Sequence, residues 1–128
     1  MKYLSTAYIY FSISGESLDS GNFEDHFNIA PTEVGENRQG DKFLEYKIEA
    51  KDANEGLDEA IDKLMRTLAP KSKQIKTYAS KRNLYIKIFV VIQVRNSESN
   101  GIFFNQDFIK LLNDIGAEIE IDTYPHPH

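Results

Sequence analysis

Apolar and polar residues alternate along several stretches of the chain. From Thr6 to Ser14 the alternation has a period of two, which predicts a strand with one buried face. The same period predicts a second strand over Lys42–Ala50 and a last one over Ala117–Tyr124. Leu84–Arg95 is the most hydrophobic stretch, and its length and composition predict a strand in the centre of the sheet.

Apolar residues three and four positions apart predict helices between these strands. The clearest runs from about Ala53 to Leu68, with Asp52 in the position of an N-cap. Pro70 ends this helix because proline lacks the amide hydrogen that the next turn needs. A weaker helix is predicted over Lys71–Ser80, with its lysines facing outward.

Two further segments carry helical signals. Phe23 and Phe27 are four residues apart and suggest a short helix. Asn105 is a good N-cap for a helix that Gly116 would end. Long alternating strands beside one-sided helices predict an α+β fold, a two-layer sandwich. We expect a four- to five-stranded, mainly antiparallel sheet with two to three helices mostly on one face.

Length and composition fit one folded domain. The chain has 128 residues, of which 41% are hydrophobic and 27% charged, as in ordinary globular proteins. We expect the domain to span residues 1–124, followed by a disordered tail at 125–128. The chain contains no cysteine, which excludes disulfides, thiolate nucleophiles and Cys-based metal sites. The amino-terminal stretch alternates like a strand, and the longest apolar run, Ile88–Ile92, is too short to cross a membrane, so we expect a cytoplasmic protein.

Charge is distributed unevenly. The formal net charge is −5, yet residues 71–95 contain lysines and arginines without any acid. A basic block of this kind is one feature of nucleic-acid-binding proteins. Because the chain as a whole is acidic, we favour neutralisation of the block by acidic segments within the fold over binding to nucleic acid.

Catalytic signals are sparse. Gly35 and Gly40 have the spacing of a phosphate-binding loop, but Asp41 stands where that motif needs lysine. We therefore interpret this segment as a flexible connecting loop. The three histidines lie in polar or terminal segments, at His26, His126 and His128. The sequence predicts no catalytic residue and no cofactor.

A series of short motifs runs through the chain in a fixed order: Gly15–Glu16, Ile29, Pro31–Thr32, Gly40–Asp41, Gly116–Ala117, Ile121–Asp122 and Tyr124. In this order the chain resembles the bacterial domain-of-unknown-function family 4279 over nearly its whole length. That family often has tryptophan in the strand after Gly40–Asp41, where this chain offers Tyr46. The resemblance implies a compact α+β domain and supplies no catalytic residue.

The strongest functional signal is the sheet face that points away from the predicted helices. It is expected to be both aromatic and charged. The candidate residues are Tyr8, Tyr10, Tyr85, Lys87, Phe89, Glu118, Glu120, Asp122 and Tyr124. Two interpretations stay open: the side chains pair with one another across strands, or they form a binding surface.

We expect a non-enzymatic binding module, of the immunity or regulatory type, that contacts a protein partner through this face. Self-association through the same face is the nearest competitor. The alternative is a metal-assisted hydrolase or a small-ligand-binding protein that uses Glu118, Glu120 and Asp122, since hard cations take oxygen ligands.

Overall fold

The structure is a computed structural model that describes residues 6–53, 55–94 and 102–125. Three residues named in the sequence analysis lie outside the described residues: Arg95, His126 and His128. None of the helices in these ranges is long and apolar enough to cross a membrane.

The described residues form one five-stranded sheet with the order β2-β3-β1-β4-β5. The strands are β1 (Thr6–Gly15), β2 (Glu33–Glu36), β3 (Lys42–Ala50), β4 (Tyr85–Val94) and β5 (Glu118–Pro125). β1 pairs antiparallel with both β3 and β4, and β2 pairs antiparallel with β3. β5 pairs parallel with β4. The long strand β4 is interior, as predicted, but β1 occupies the middle of the sheet.

Four α-helices are present in the described ranges: α1 (Ser20–Phe27), α2 (Glu55–Leu68), α3 (Ser72–Lys81) and α4 (Gln106–Ile115). The side chain of Asn105 accepts a hydrogen bond from the amide of Phe108 (2.9 Å), which confirms the predicted N-cap. Asp52 accepts from the amide of Gly56 (2.9 Å) at the start of α2. A 3₁₀ turn that contains Pro70 separates α2 from α3.

The core lies between the helices and one face of the sheet. On β1 the predicted inward residues are buried, and the ring of Phe11 lies 6.1 Å from that of Phe23 on α1. Leu44 and Ile48 of β3 and the even-numbered residues of β4 from Ile86 to Ile92 are buried as well. These residues confirm the predicted two-layer α+β fold with a mainly antiparallel sheet. The helices pack on one face, and the other face points to solvent.

The segment expected to be a flexible loop around Gly35 and Gly40 is instead an ordered hairpin. β2 pairs with β3, and the side chain of Asn37 closes the turn by accepting hydrogen bonds from the amides of Gln39 and Asp41 (both 3.0 Å). All four residues of β2 are exposed. The strand therefore lacks the alternation of apolar and polar residues from which a strand is predicted.

β5 departs from its predicted burial. The alternation over Ala117–Tyr124 predicts that Ile121 and Thr123 face the core, but both are exposed, and Ile121 retains 43% of its accessible surface. β5 is an edge strand, so its inward side chains have neighbours on fewer sides than those of β4. The strand extends to Pro125, one residue past the predicted domain boundary at residue 124.

Candidate functional site

The sheet face that points away from the helices is called the open face here. In the part of the chain that the structure describes, no helix or loop lies across it. Its side chains come from alternate positions of β1, β3, β4 and β5, together with Glu33 of β2. They are Tyr8, Tyr10 and Ser12; Phe43, Glu45, Lys47 and Glu49; Tyr85, Lys87, Phe89, Val91 and Gln93; and Glu118, Glu120, Asp122 and Tyr124.

Strand register arranges these side chains in rows across the sheet. Tyr10 on the middle strand lies opposite Lys47 on one side and opposite Phe89 on the other. Phe89 in turn lies opposite Glu120 of β5. The strand pairing thus brings residues far apart in sequence into one surface, with aromatic rings at its centre and charged groups towards both edges.

Three of the aromatic rings form a continuous strip, made of Tyr8, Tyr10 and Phe89. Tyr10 and Phe89 stack across strands with ring centroids 4.5 Å apart and an angle of 12° between planes. Tyr8 and Tyr10 lie 6.0 Å apart along β1. The three side chains are half-buried by one another and stay accessible from solvent. Stacking of this kind stabilises the sheet, and the rings stay partly exposed.

The other two predicted aromatic residues lie near the ends of the face. Tyr85 and Tyr124 each retain 51% of their accessible surface. Among the described residues, neither makes a ring-to-ring contact with the strip. The structure therefore brings Tyr8, Tyr10 and Phe89 together and leaves Tyr85 and Tyr124 apart from them.

Two lysines lie beside the strip. Lys87 Nζ is 3.2 Å from Glu120 Oε1 and 5.3 Å from the centre of the Phe89 ring. Lys47 Nζ lies 4.7 Å from the centre of the Tyr8 ring and 3.8 Å from Glu49 Oε1. Cross-strand pairing is thus present on this face, and it leaves these side chains partly exposed.

Burial and neighbouring carboxylates shift the pKa values of the open face upward. Burial, followed by the negative charge of Glu45, raises the pKa of Tyr10 to about 12. Burial and a hydrogen bond with Glu33 raise the pKa of Glu45. Burial and the adjacent Glu120 also raise the pKa of Asp122. The surface therefore disfavours further negative charge at three separate positions.

No site residues were predicted from the sequence on the side of the open face nearest β2. There Glu33 lies directly opposite Glu45, and both line a cavity of about 340 Å³ with Tyr8, Tyr10 and Lys47. Glu45 and Lys47 alternate with the buried Leu44 and Ile48, and this pattern assigns them to the outward face from sequence. Glu33 carries no comparable signal because β2 has no buried position.

The acidic residues of β5 were the basis of the metal alternative. Glu118 lies opposite Lys87 in the register and is exposed, whereas Glu120 and Asp122 are partly buried. The carboxylate of Glu120 already accepts a hydrogen bond from Lys87. Across residues 6–53, 55–94 and 102–125 there is no group of three or more His, Cys, Asp or Glu side chains arranged to hold a metal ion.

Several cations of the basic block contact groups within the chain. Lys71 donates a hydrogen bond to the carbonyl of Phe27 (2.5 Å). The guanidinium of Arg82 lies 3.6 Å from the centre of the Tyr78 ring. Of the contacts named here, the Lys87–Glu120 pair joins a cation of the block to an acid, whereas Lys71 and Arg82 contact neutral groups, so neutralisation of the whole block stays a prediction.

A second cavity, of about 660 Å³, lies on the helical side between α2, α3 and α4. Met65 and Leu111 contribute apolar surface, and Lys110 at its edge is paired with Asp114 at 2.6 Å. None of the predicted site residues lines this cavity.

The fold and this face together define a small two-layer α+β domain with one uncovered, aromatic and acidic sheet surface. The chain belongs to the family described as Domain of unknown function (DUF4279), whose sequence model matches residues 5–126. This match confirms the resemblance noted from the motifs. No curated protein and no solved structure matches the chain.

Proposed function

We propose that this protein is a non-enzymatic binding module that contacts a basic protein partner through the open face. In this proposal it acts in the bacterial cytoplasm as an immunity-type or regulatory protein. The observation that carries the proposal is the strip of Tyr8, Tyr10 and Phe89, which is half-buried, ordered by stacking and uncovered by any described element.

Stacked aromatic rings suit the centre of an interface. Tyrosine and phenylalanine offer a large contact area and lose little conformational entropy when a partner covers them. Because the strip is held by neighbouring strands, it is preorganised before binding. Residues of this kind supply most of the binding energy in protein interfaces.

The charges around the strip favour a cationic partner. Two lysines of the open face, Lys47 and Lys87, are outnumbered by its acids in the described residues. These acids are Glu33, Glu45, Glu49, Glu118, Glu120 and Asp122. An acidic rim accelerates encounter with a basic protein and selects against acidic ones.

The same charges argue against self-association through this face. In a symmetric dimer the surface would meet a copy of itself, so acids on one protomer would approach acids on the other. Burial, followed by the neighbouring carboxylates Glu33 and Glu120, raises the pKa values of Glu45 and Asp122, so a second acidic surface would add to the repulsion there. A basic partner removes this penalty.

The test is affinity capture from the native host lysate with four baits: wild type, Phe89→Ala, Glu120→Lys and Glu59→Lys. Glu59 is exposed on α2, so Glu59→Lys makes the same charge change on the helical side. We expect wild type and Glu59→Lys to recover the same basic protein, and Phe89→Ala and Glu120→Lys to lose it.

Two outcomes would contradict the proposal. One is recovery of identical proteins by all four baits. The other is recovery of nothing while light scattering shows the wild type to be monomeric. If light scattering instead shows a dimer that dissociates in folded Phe89→Asp, the face serves self-association rather than a partner.

A further inference from the structure

The cavity between β1, β2 and β3 combines carboxylates with aromatic walls. Glu33 and Glu45 lie directly opposite each other across the β2–β3 pair, and Tyr8 and Tyr10 enter from β1. Its volume of about 340 Å³ suits one small group. Carboxylates and aromatic faces attract the same class of ligand, an organic cation.

The chain itself shows that the aromatic wall accepts a cation. The ammonium group of Lys47 lies 4.7 Å from the centre of the Tyr8 ring, within the range of a cation–π interaction. Its ion pair with Glu49 spans 3.8 Å, and the two side chains are 41% and 79% exposed. Exposed pairs of this kind contribute little to stability, so Lys47 is easily displaced.

The rim of the cavity is fixed by hydrogen bonds. The backbone amide and the hydroxyl of Thr32 both donate to the carbonyl of Glu45, at 2.8 and 3.1 Å. The hydroxyl also accepts from the amide of Lys47 at 3.0 Å. These bonds tie the segment before β2 to β3, so the backbone that carries the two glutamates is fixed without a ligand.

We propose that this cavity binds a guanidinium or alkylammonium group, in the place that the Lys47 ammonium now occupies, with Tyr8 and Tyr10 as aromatic walls and Glu33 and Glu45 as counter-ions. The inference rests on the proposed function and specifies it: the cavity receives an arginine or lysine side chain of the basic partner. A bound cation also relieves the repulsion between the two opposed carboxylates.

The closing experiment is an NMR titration of the isolated protein with capped single residues. The probes are Nα-acetyl-arginine methylamide, the corresponding lysine compound and the neutral citrulline compound, which has the shape of arginine without its charge. We expect saturable shifts of the amide signals of Glu33, Glu45 and Lys47 with the two cations and none with citrulline.

Three variants locate the site. Glu33→Gln combined with Glu45→Gln should abolish the saturable shifts, because it removes both counter-ions. Lys47→Met should strengthen binding about two- to fivefold, since the ligand no longer competes for the Tyr8 ring. Glu49→Gln is the matched control: it contacts Lys47 but does not line the cavity, and it should change the affinity far less than the double variant does.

Equal shifts with arginine and citrulline, or shifts confined to β4 and β5, would overturn the inference, and so would weaker binding by folded Lys47→Met. These results are independent of the lysate capture, which depends on Phe89 and Glu120. Failure of the capped cations beside a successful capture would reject the cavity and leave the proposed function intact. Failed capture beside successful binding of the capped cations would reject the proposed function and leave the cavity as a cation-binding site.

Discussion

Tyr10 and Phe89 lie face to face across the β1–β4 pair, with ring centroids 4.5 Å apart and planes inclined by 12°. They are 79 positions apart in sequence, yet they lie directly opposite each other in the register of the two strands. The stack is on the side of the sheet without helices. The same two side chains therefore stabilise the sheet and form part of the open face.

This stack should give a measurable coupling energy. We expect the variants Tyr10→Ala and Phe89→Ala to be non-additive by about 0.5–1.5 kcal/mol in the free energy of unfolding, measured with urea. The control cycle pairs Phe89→Ala with Tyr124→Ala. Tyr124 is 51% exposed and makes no ring contact among the described residues, so that cycle should be additive. Equal coupling in both cycles would contradict a specific contribution from the stack.

Burial of Glu45 and the opposed carboxylate of Glu33 should make stability depend on pH. The pKa of Glu45 is raised above its ordinary value of 4.5, so its protonated form stabilises the fold in acid and this contribution is lost as pH rises through the raised pKa. At neutral pH we expect Glu45→Gln to stabilise the protein by about 0.2–1 kcal/mol, because like charges directly opposite each other repel.

Urea unfolding at neutral pH and below pH 4.5 checks this prediction. The advantage of Glu45→Gln should shrink in acid. Glu49→Gln serves as control, since Glu49 is exposed and lies beside Lys47 rather than an acid. A Glu45→Gln variant that is less stable than wild type at neutral pH would show that the repulsion is absent.

Tyr10 should ionise at a higher pH than an ordinary tyrosine. Its pKa is raised from 10.0 to about 12, so the fold retains the proton after the unfolded chain has lost it. Stability contributed by the neutral phenol is complete below pH 10.0 and is lost as pH rises towards 12. Ultraviolet titration of the phenolate should show a late step that is missing in Tyr10→Phe, which keeps the ring and its stack. An unchanged titration curve in that variant would refute the assignment.

Divalent cations should not bind strongly to β5. Alternate residues on one strand are about 7 Å apart, and Glu120 is already paired with Lys87 at 3.2 Å. We expect calorimetric titration with magnesium, manganese or calcium to give only heat of dilution. A saturable heat that disappears in Glu120→Gln would instead favour the metal-assisted alternative.

Much of the fold follows from local pattern. Alternation identified β1, β3 and β4, and the caps at Asn105 and Gly116 located α4, because burial and capping act on residues close in sequence. β2 escaped prediction because an edge strand with exposed side chains leaves no hydrophobic period. The burial of β5 was overestimated because alternation does not reveal how many neighbours a strand has.

Prediction of the candidate site from sequence was limited in the same way. The outward positions of β1, β4 and β5 could be listed from sequence, but the stack of Tyr10 on Phe89 depends on which strands are neighbours and in what register. Strand order is decided by tertiary packing rather than by a local pattern. The contribution of Glu33 and Glu45 was missed for that reason, since their opposition exists only once β2 and β3 are paired.

The position of β1 in the middle of the sheet has a consequence for synthesis. Thr6 and Gln93 are joined by a side-chain hydrogen bond although they are 87 positions apart in sequence. Because the amino terminus is synthesised first, β1 can pair with β3 before β4 has been synthesised. Until then the other edge of β1 is unpaired. Contacts of such long range slow folding, and an unpaired strand edge invites aggregation. The nascent protein is therefore most vulnerable between the emergence of β3 and that of β4.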